Sequence, residues 1–170
     1  GIHIAEPLIR GGGQERNLRA GTENVAAIAG FGAAAEAAGR ARQADALRMA
    51  ALRDRFEAAL KAQTPAAVIF GANAARLPNT SLFAVPGLKA ETAIISFDLN
   101  GIAVSSGAAC SSGKVQNSSV LTAMGVEGDL ARGAIRVSLG WTTTEADIEL
   151  LLNAWMRVAS TLLKSHANAA

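Results

Sequence analysis

The sequence predicts a helix-rich segment followed by an α+β unit of short strands covered by helices, and three observations carry that expectation. From Glu23 to about Ala62 the chain is alanine-rich with alternating charges, and Met49, Leu52, Phe56 and Leu60 recur at the spacing of one helix face. After Pro65 the pattern changes to short apolar runs separated by the turn formers Gly71, Asn73, Pro78 and Asn79. Ile135, Val137 and Leu139 then alternate with Arg136 and Ser138, the period of a strand with one apolar and one polar face. On that pattern Arg136 points away from the apolar side.

Taken in order, Ile2 to Pro7 reads as the end of a strand, broken by Gly11, Gly12 and Gly13, and a polar loop runs on to Thr22. The alanine-rich stretch is one long helix, or two broken near Gly39. Ala67 to Phe70 and Ser81 to Val85 read as strands, and Glu91 to Leu99 as a helix stopped near Asn100 and Gly101. Ile102 to Val104 reads as a short strand leading into the small-residue loop Ser105 to Gly113, and Ser118 to Met124 as a helix ended by Gly125. Thr142 to Thr144, with Glu145 and Asp147 just after, signal the capped start of a last helix. Its buried stripe is Ile148, Leu151, Leu152, Trp155, Val158 and Leu162.

The 170 residues, half of them hydrophobic, suffice for one ordinary core or two small ones. Net charge is +2 and the basic residues are spread among acids, so no phosphate-backbone footprint for nucleic acid is expected. Polar or glycine residues interrupt every hydrophobic run before the roughly 18 apolar residues of a membrane helix accumulate, so the chain reads as soluble. Gly1 to Gly13 lacks the features of a secretory signal, and there is no initiator Met. The expectation is a sequence that begins inside a longer protein, although a processed start fits the missing Met equally well. A single cysteine excludes an internal disulfide and suits a reducing, cytoplasmic compartment. No metal site is expected.

Three features bear on chemistry. Cys110 lies in SSGAACSSG, where glycines and small residues allow the mobility and exposure that a reactive thiol needs, whereas a core cysteine has bulkier neighbours. Neither His3 nor His166 is near it in sequence to serve as a base. Arg136, 26 positions later in AIRVSLG, reads on its own as half of a surface ion pair, the sharper alternative being a bidentate clamp for an amino-acid carboxylate. Gly11 to Thr22, GGGQERNLRAGT, ends where the long helix starts. Thr22 is there an ordinary helix cap or, alternatively, a phosphate contact at a helix N-terminus, and the spacing fits neither a Walker loop nor a dinucleotide fingerprint.

The runs EPLIRGGGQERNLRAGTENVAAIAGFG, LPNTSLF, ISFDLNGIAVSSGAACSSG, VLTAMG and AIRVSLGWTTTEADI together resemble, in order and spacing, the motifs of the cysteine desulfurases, a branch of the class V aminotransferases. The likeness extends from about Ile2 to Trp155. It implies an α/β fold of the type I pyridoxal-phosphate enzymes. Residues 1–63 would be the end of the large cofactor domain, with strand, Gly/Arg loop and long helix, and residues 64–170 the small C-terminal α+β domain with the cysteine loop. The activity implied takes sulfur from L-cysteine and releases L-alanine, for iron–sulfur cluster assembly or tRNA thiolation, in a cytoplasmic homodimer that hands sulfur to an acceptor or iron–sulfur scaffold protein. Cys110 matches the nucleophile that becomes a persulfide, Arg136 the substrate-carboxylate arginine, and Thr22 a residue that reaches the cofactor phosphate of the neighbouring subunit.

The sequence departs from the family in lacking the SxHK motif that carries the Schiff-base lysine, so this stretch alone is expected to be inactive. Lys61, Lys89, Lys114 and Lys164 all lack its context. Two alternatives share these features: a selenocysteine lyase, and a non-catalytic module that accepts persulfide or binds a partner.

Overall fold

The computed structural model describes residues 6–7, 9–107 and 118–167, with side chains up to residue 163. The chain divides into two compact units, Gly1–Arg42 and Gln43–Ala170. In the first, the amide of Ala20 donates to the carbonyl of Ile9 at 2.9 Å within a parallel bridge between Ile9 and Arg19. The intervening loop turns through the 3-10 segment Gln14–Asn17, where Glu15, Arg16 and Asn17 hold left-handed φ values of 47°, 58° and 66°. Three consecutive non-glycine residues in that region cost roughly 1–2 kcal/mol each.

Helix α1, Val25–Gln63, runs unbroken through Gly39, the long single helix being one of the two expected forms. Its cap is Asn24, whose Oδ1 accepts from the amide of Ala27 at 3.1 Å. The expected cap, Thr22, lies too far upstream: only Asn24 sits directly before the first helical residue with a short side-chain acceptor.

The second unit is built on a four-stranded antiparallel sheet of β1 (Val68–Ile69), β2 (Thr80–Ala84), β3 (Ser105–Ser106) and β4 (Ile135–Ser138), in the spatial order β1-β2-β4-β3. On one face pack the C-terminal half of α1, helix α2 (Ala90–Leu99) and helix α5 (Glu145–Ala167). Leu52, Phe56 and Leu60 of α1 meet Phe83, Phe97, Ile135, Ile148, Leu151, Trp155 and Val158 there, and the remaining members of the expected stripes, Met49, Leu152 and Leu162, are partly buried against this core. Phe83 stands edge-on to Phe56 and Trp155, with ring centroids 5.8 and 5.5 Å away. Each such large side chain, fully buried, contributes roughly 1.5–3 kcal/mol. The start of α5 is the capping box that Thr144 and Asp147 suggested: the Asp147 amide donates to Thr144 Oγ1, and Asp147 Oδ2 accepts from the Thr144 amide at 2.8 Å.

Three features differ from the sequence reading. Ile102–Val104 is not a strand: Ile102 and Val104 pack against the core, while the ladder hydrogen bonds begin at Ser105. Apolar residues marked the burial, and pairing with β4 fixed the strand. Second, the short helix α4, Gly128–Arg132, follows α3, Ser119–Ala123; five residues opening on glycine leave no periodic signal. Third, the opposite face of the sheet is not simply polar. Leu82, Val126 and Leu130 pack with Phe70, Ala84, Leu121, Ala131 and Ala134 into a smaller second cluster.

The buried Arg76–Glu57 pair ties the β1–β2 connection to α1, Nη1 to Oε1 at 2.7 Å and Nη2 to Oε2 at 2.8 Å, with side chains only 17% and 10% exposed. Burial pushes the Glu57 carboxyl up, but the Arg76 fork and the Ser81 hydroxyl beside it outweigh that and hold its pKa below the usual carboxylate value. Ser81 Oγ itself is buried without a hydrogen bond of standard geometry, so its share is the weaker one.

Gly133 links α4 to β4. A Cβ there would sit 2.4 Å from the carbonyl oxygen of Leu88, a backbone atom that cannot rotate away. Gly133→Ala is therefore expected to destabilise the chain by about 1–3 kcal/mol, read as a lowered urea midpoint with an unchanged slope. A midpoint equal to that of the parent chain would refute this close approach.

Candidate functional site

Arg136 is the second residue of β4, in register with Leu82 of β2 on one side and Ser105 of β3 on the other. In an antiparallel sheet directly opposed residues project to the same face, so Leu82, Arg136 and Ser105 share the face opposite the main core. The expectation that Arg136 turns from the apolar side holds, but its surroundings are not those of a free surface arginine. It is half-buried, and its Nε is fully covered without a hydrogen-bond partner. Among the described residues no carboxylate pairs with its guanidinium, which removes the surface ion pair read from the sequence. A covered guanidinium N–H without an acceptor costs about 1–3 kcal/mol.

Strand β3 leads from Arg136 toward the cysteine loop. Ser105 lies opposite Arg136, and the Gly107 amide donates to the carbonyl of Ala134 at 2.9 Å. A Cβ on Gly107 would come within 2.9 Å of the Ala134 Cβ, so only glycine lets the two backbones lie this close. Cys110 and Lys114 fall in residues 108–117, outside the described residues. The chain resumes at Ser118, whose hydroxyl accepts from the Leu121 amide at the start of α3.

Thr22 lies in the first unit, two residues ahead of the α1 cap. With Asn24 capping the helix, the Thr22 hydroxyl is exposed and has no hydrogen bond among the described residues. Its carbonyl accepts from Arg19 Nη1 at 2.9 Å, and Gly21 before it adopts φ +90°. Thr22 and Arg136 belong to different units, each described in its own frame.

The donor set fits part of what a pyridoxal-phosphate site requires. An unengaged hydroxyl can take a phosphate oxygen, and a guanidinium without a carboxylate partner among the described residues can take a carboxylate. The described lysines do not supply a Schiff-base anchor. Lys61 Nζ is spent on the carbonyls of Pro65 and Ala67, and Lys89 lines a groove of about 610 Å3 with Glu91, Asp129 and Arg132, on which Arg136 does not border. Sequence reasoning missed Ser105, Gly107 and Arg19. The first two are marked only by cross-strand register, and Arg19 only by a contact between its side chain and the backbone three residues on.

The described residues of the second unit form an α/β arrangement with Arg136 on the sheet face opposite the main core. The chain belongs to the aminotransferase class-V family, which it matches over residues 7–151. It is 48% identical over 147 residues to a cysteine desulfurase of Cereibacter sphaeroides and 42% identical over 146 residues to the cysteine desulfurase NifS of Azotobacter vinelandii, each alignment covering 86% of this chain. The X-ray structure of a NifS-like protein from Rickettsia africae superposes with a TM-score of 0.76 at 39% identity, over 93% of this chain and 41% of that one. The chain spans only 37% and 36% of the length of the two desulfurases.

Proposed function

We propose that this chain is the C-terminal part of a pyridoxal-phosphate-dependent cysteine desulfurase acting on L-cysteine as a cytoplasmic homodimer. The observation that carries the reading is Arg136, a half-buried guanidinium with no carboxylate partner among the described residues, in register with the strand that opens the cysteine loop. Residues 1–63 end the large domain and 64–170 form the small one, with Leu52, Phe56 and Leu60 of α1 contributing to the latter's core.

Arg136 binds the substrate carboxylate and fixes the amino acid's orientation, and Thr22 takes the cofactor phosphate of the neighbouring subunit. Bound pyridoxal phosphate supplies the electron sink that makes carbon–sulfur cleavage accessible. Cys110 stands three residues beyond Gly107, within a covalent reach of about 11 Å. Its thiolate attacks the substrate sulfur; an S–S bond forms, the C–S bond breaks with its electron pair left on carbon, and a proton there completes L-alanine. The persulfide on Cys110 then passes its outer sulfur to an acceptor thiol. An iron–sulfur scaffold protein is one destination for that sulfur, and tRNA thiolation the other. No helix among the described residues is long and apolar enough to cross a membrane.

In the complete polypeptide Arg136→Ala is expected to raise the Michaelis constant for L-cysteine by roughly 10- to 150-fold, the equivalent of about 1.5–3 kcal/mol for a lost hydrogen bond to a charged group. Steady-state kinetics on the variant and on Arg136→Lys measure this, and an unchanged Michaelis constant would remove the clamp. Kinetic preference between L-cysteine and L-selenocysteine separates a desulfurase from a selenocysteine lyase.

A further inference from the structure

We propose that Arg19 is a positioning residue that sets the Thr22 hydroxyl for phosphate, an inference that rests on the reading of Thr22 as a phosphate contact. The Arg19 side chain is half-buried and folds forward along its own loop, Nη1 donating to the carbonyl of Thr22 at 2.9 Å and lying 3.5 Å from that of Gly21. The same nitrogen sits 4.0 Å from where a Gly21 Cβ would be, so the guanidinium lies along the chain at this point. Its other end is fixed: Arg19 forms the bridge to Ile9, and the adjoining Ala20 is buried with its amide bonded to Ile9. The clamp thus spans from a backbone-anchored residue to peptide units 21–22 and 22–23, just upstream of the α1 cap.

Those two peptides need an external hold. Gly21, at φ +90°, offers the backbone its greatest freedom, and Thr22 is neither in the helix nor its cap. Among the described residues Arg19 alone bonds the Thr22 carbonyl, so without it the peptide that carries the hydroxyl is free to turn. Arginine suits the task because it is always charged, and its Nη1 lies within 3.5 Å of both carbonyls.

The test uses the complete polypeptide and reads equilibrium affinity for the cofactor, by absorbance titration or dialysis, rather than turnover. Pyridoxal phosphate is compared with pyridoxal, which lacks the phosphate. Arg19→Ala is expected to weaken pyridoxal phosphate binding about tenfold while leaving pyridoxal unchanged, and Arg19→Lys to recover part of the loss. In a Thr22→Ala background the Arg19 substitution should add little, because both act on one contact. Equal losses for both ligands, no loss at all, or a fully additive loss in that background overturns the positioning role. If Thr22→Ala itself leaves pyridoxal phosphate binding intact, the phosphate reading of Thr22 falls and the Arg19 inference with it. A loss on Thr22→Ala without one on Arg19→Ala sinks the Arg19 inference alone. Helical circular dichroism of each variant separates misfolding from these outcomes.

Discussion

Cys110→Ser in the complete polypeptide is expected to abolish release of L-alanine from L-cysteine while leaving the cofactor's visible absorbance in place. A serine hydroxyl is almost wholly protonated near neutrality and is a poor nucleophile toward sulfur, whereas a thiol supplies an appreciable thiolate fraction and gives an S–S product from which sulfur can move on. Nothing in the proposed role asks Cys110 to hold the cofactor, so the two readouts separate. The loop's root is consistent with the assignment: the Gly107 amide bonds Ala134, one residue before the strand that carries Arg136. Alanine release at the parent rate would contradict the nucleophile role. Loss of both alanine and absorbance would mean that the residue serves binding instead.

The second large effect concerns stability. Glu57→Ala is expected to cost about 3 kcal/mol, because it leaves the Arg76 guanidinium with an uncompensated charge under a largely buried surface. Replacing both partners, as Glu57→Leu with Arg76→Leu, should cost far less than either single change. Urea unfolding of the three variants measures this, and a double variant as unstable as the singles would show that the pair's hydrogen bonds, not the orphaned charge, dominate. The pH dependence follows from the lowered pKa of Glu57. A carboxyl whose folded pKa lies below its unfolded value contributes fully above the ordinary value of 4.5. That contribution declines as pH falls below 4.5 and through the lowered folded pKa. Destabilisation of the parent chain on acidification should therefore be shallower in Glu57→Ala.

Local signals made much of the fold legible. The stripe Leu52, Phe56, Leu60 and the capping box at Thr144 and Asp147 are short-range patterns, and each is found where its spacing places it. Helix α4 was not legible, since five residues carry less than two turns of periodicity. For the site, residue types named candidates without deciding among their roles. Arg136 alternates out of the apolar face whether it pairs with a carboxylate or waits for one, and Thr22 precedes a helix whether or not it caps it.

By itself the sequence determined the longer helices, the alternating strand of Arg136 and the family motifs, because these depend on neighbours within a few residues. Tertiary structure alone decided that Arg136 has no ion pair among the described residues and lies in register with Ser105, and that Gly133 and Gly107 sit where a Cβ would clash. It likewise revealed that Arg76 reaches Glu57. These facts rest on contacts between residues distant along the chain, where distance, register and exclusion of solvent set the energies, and no local pattern encodes them.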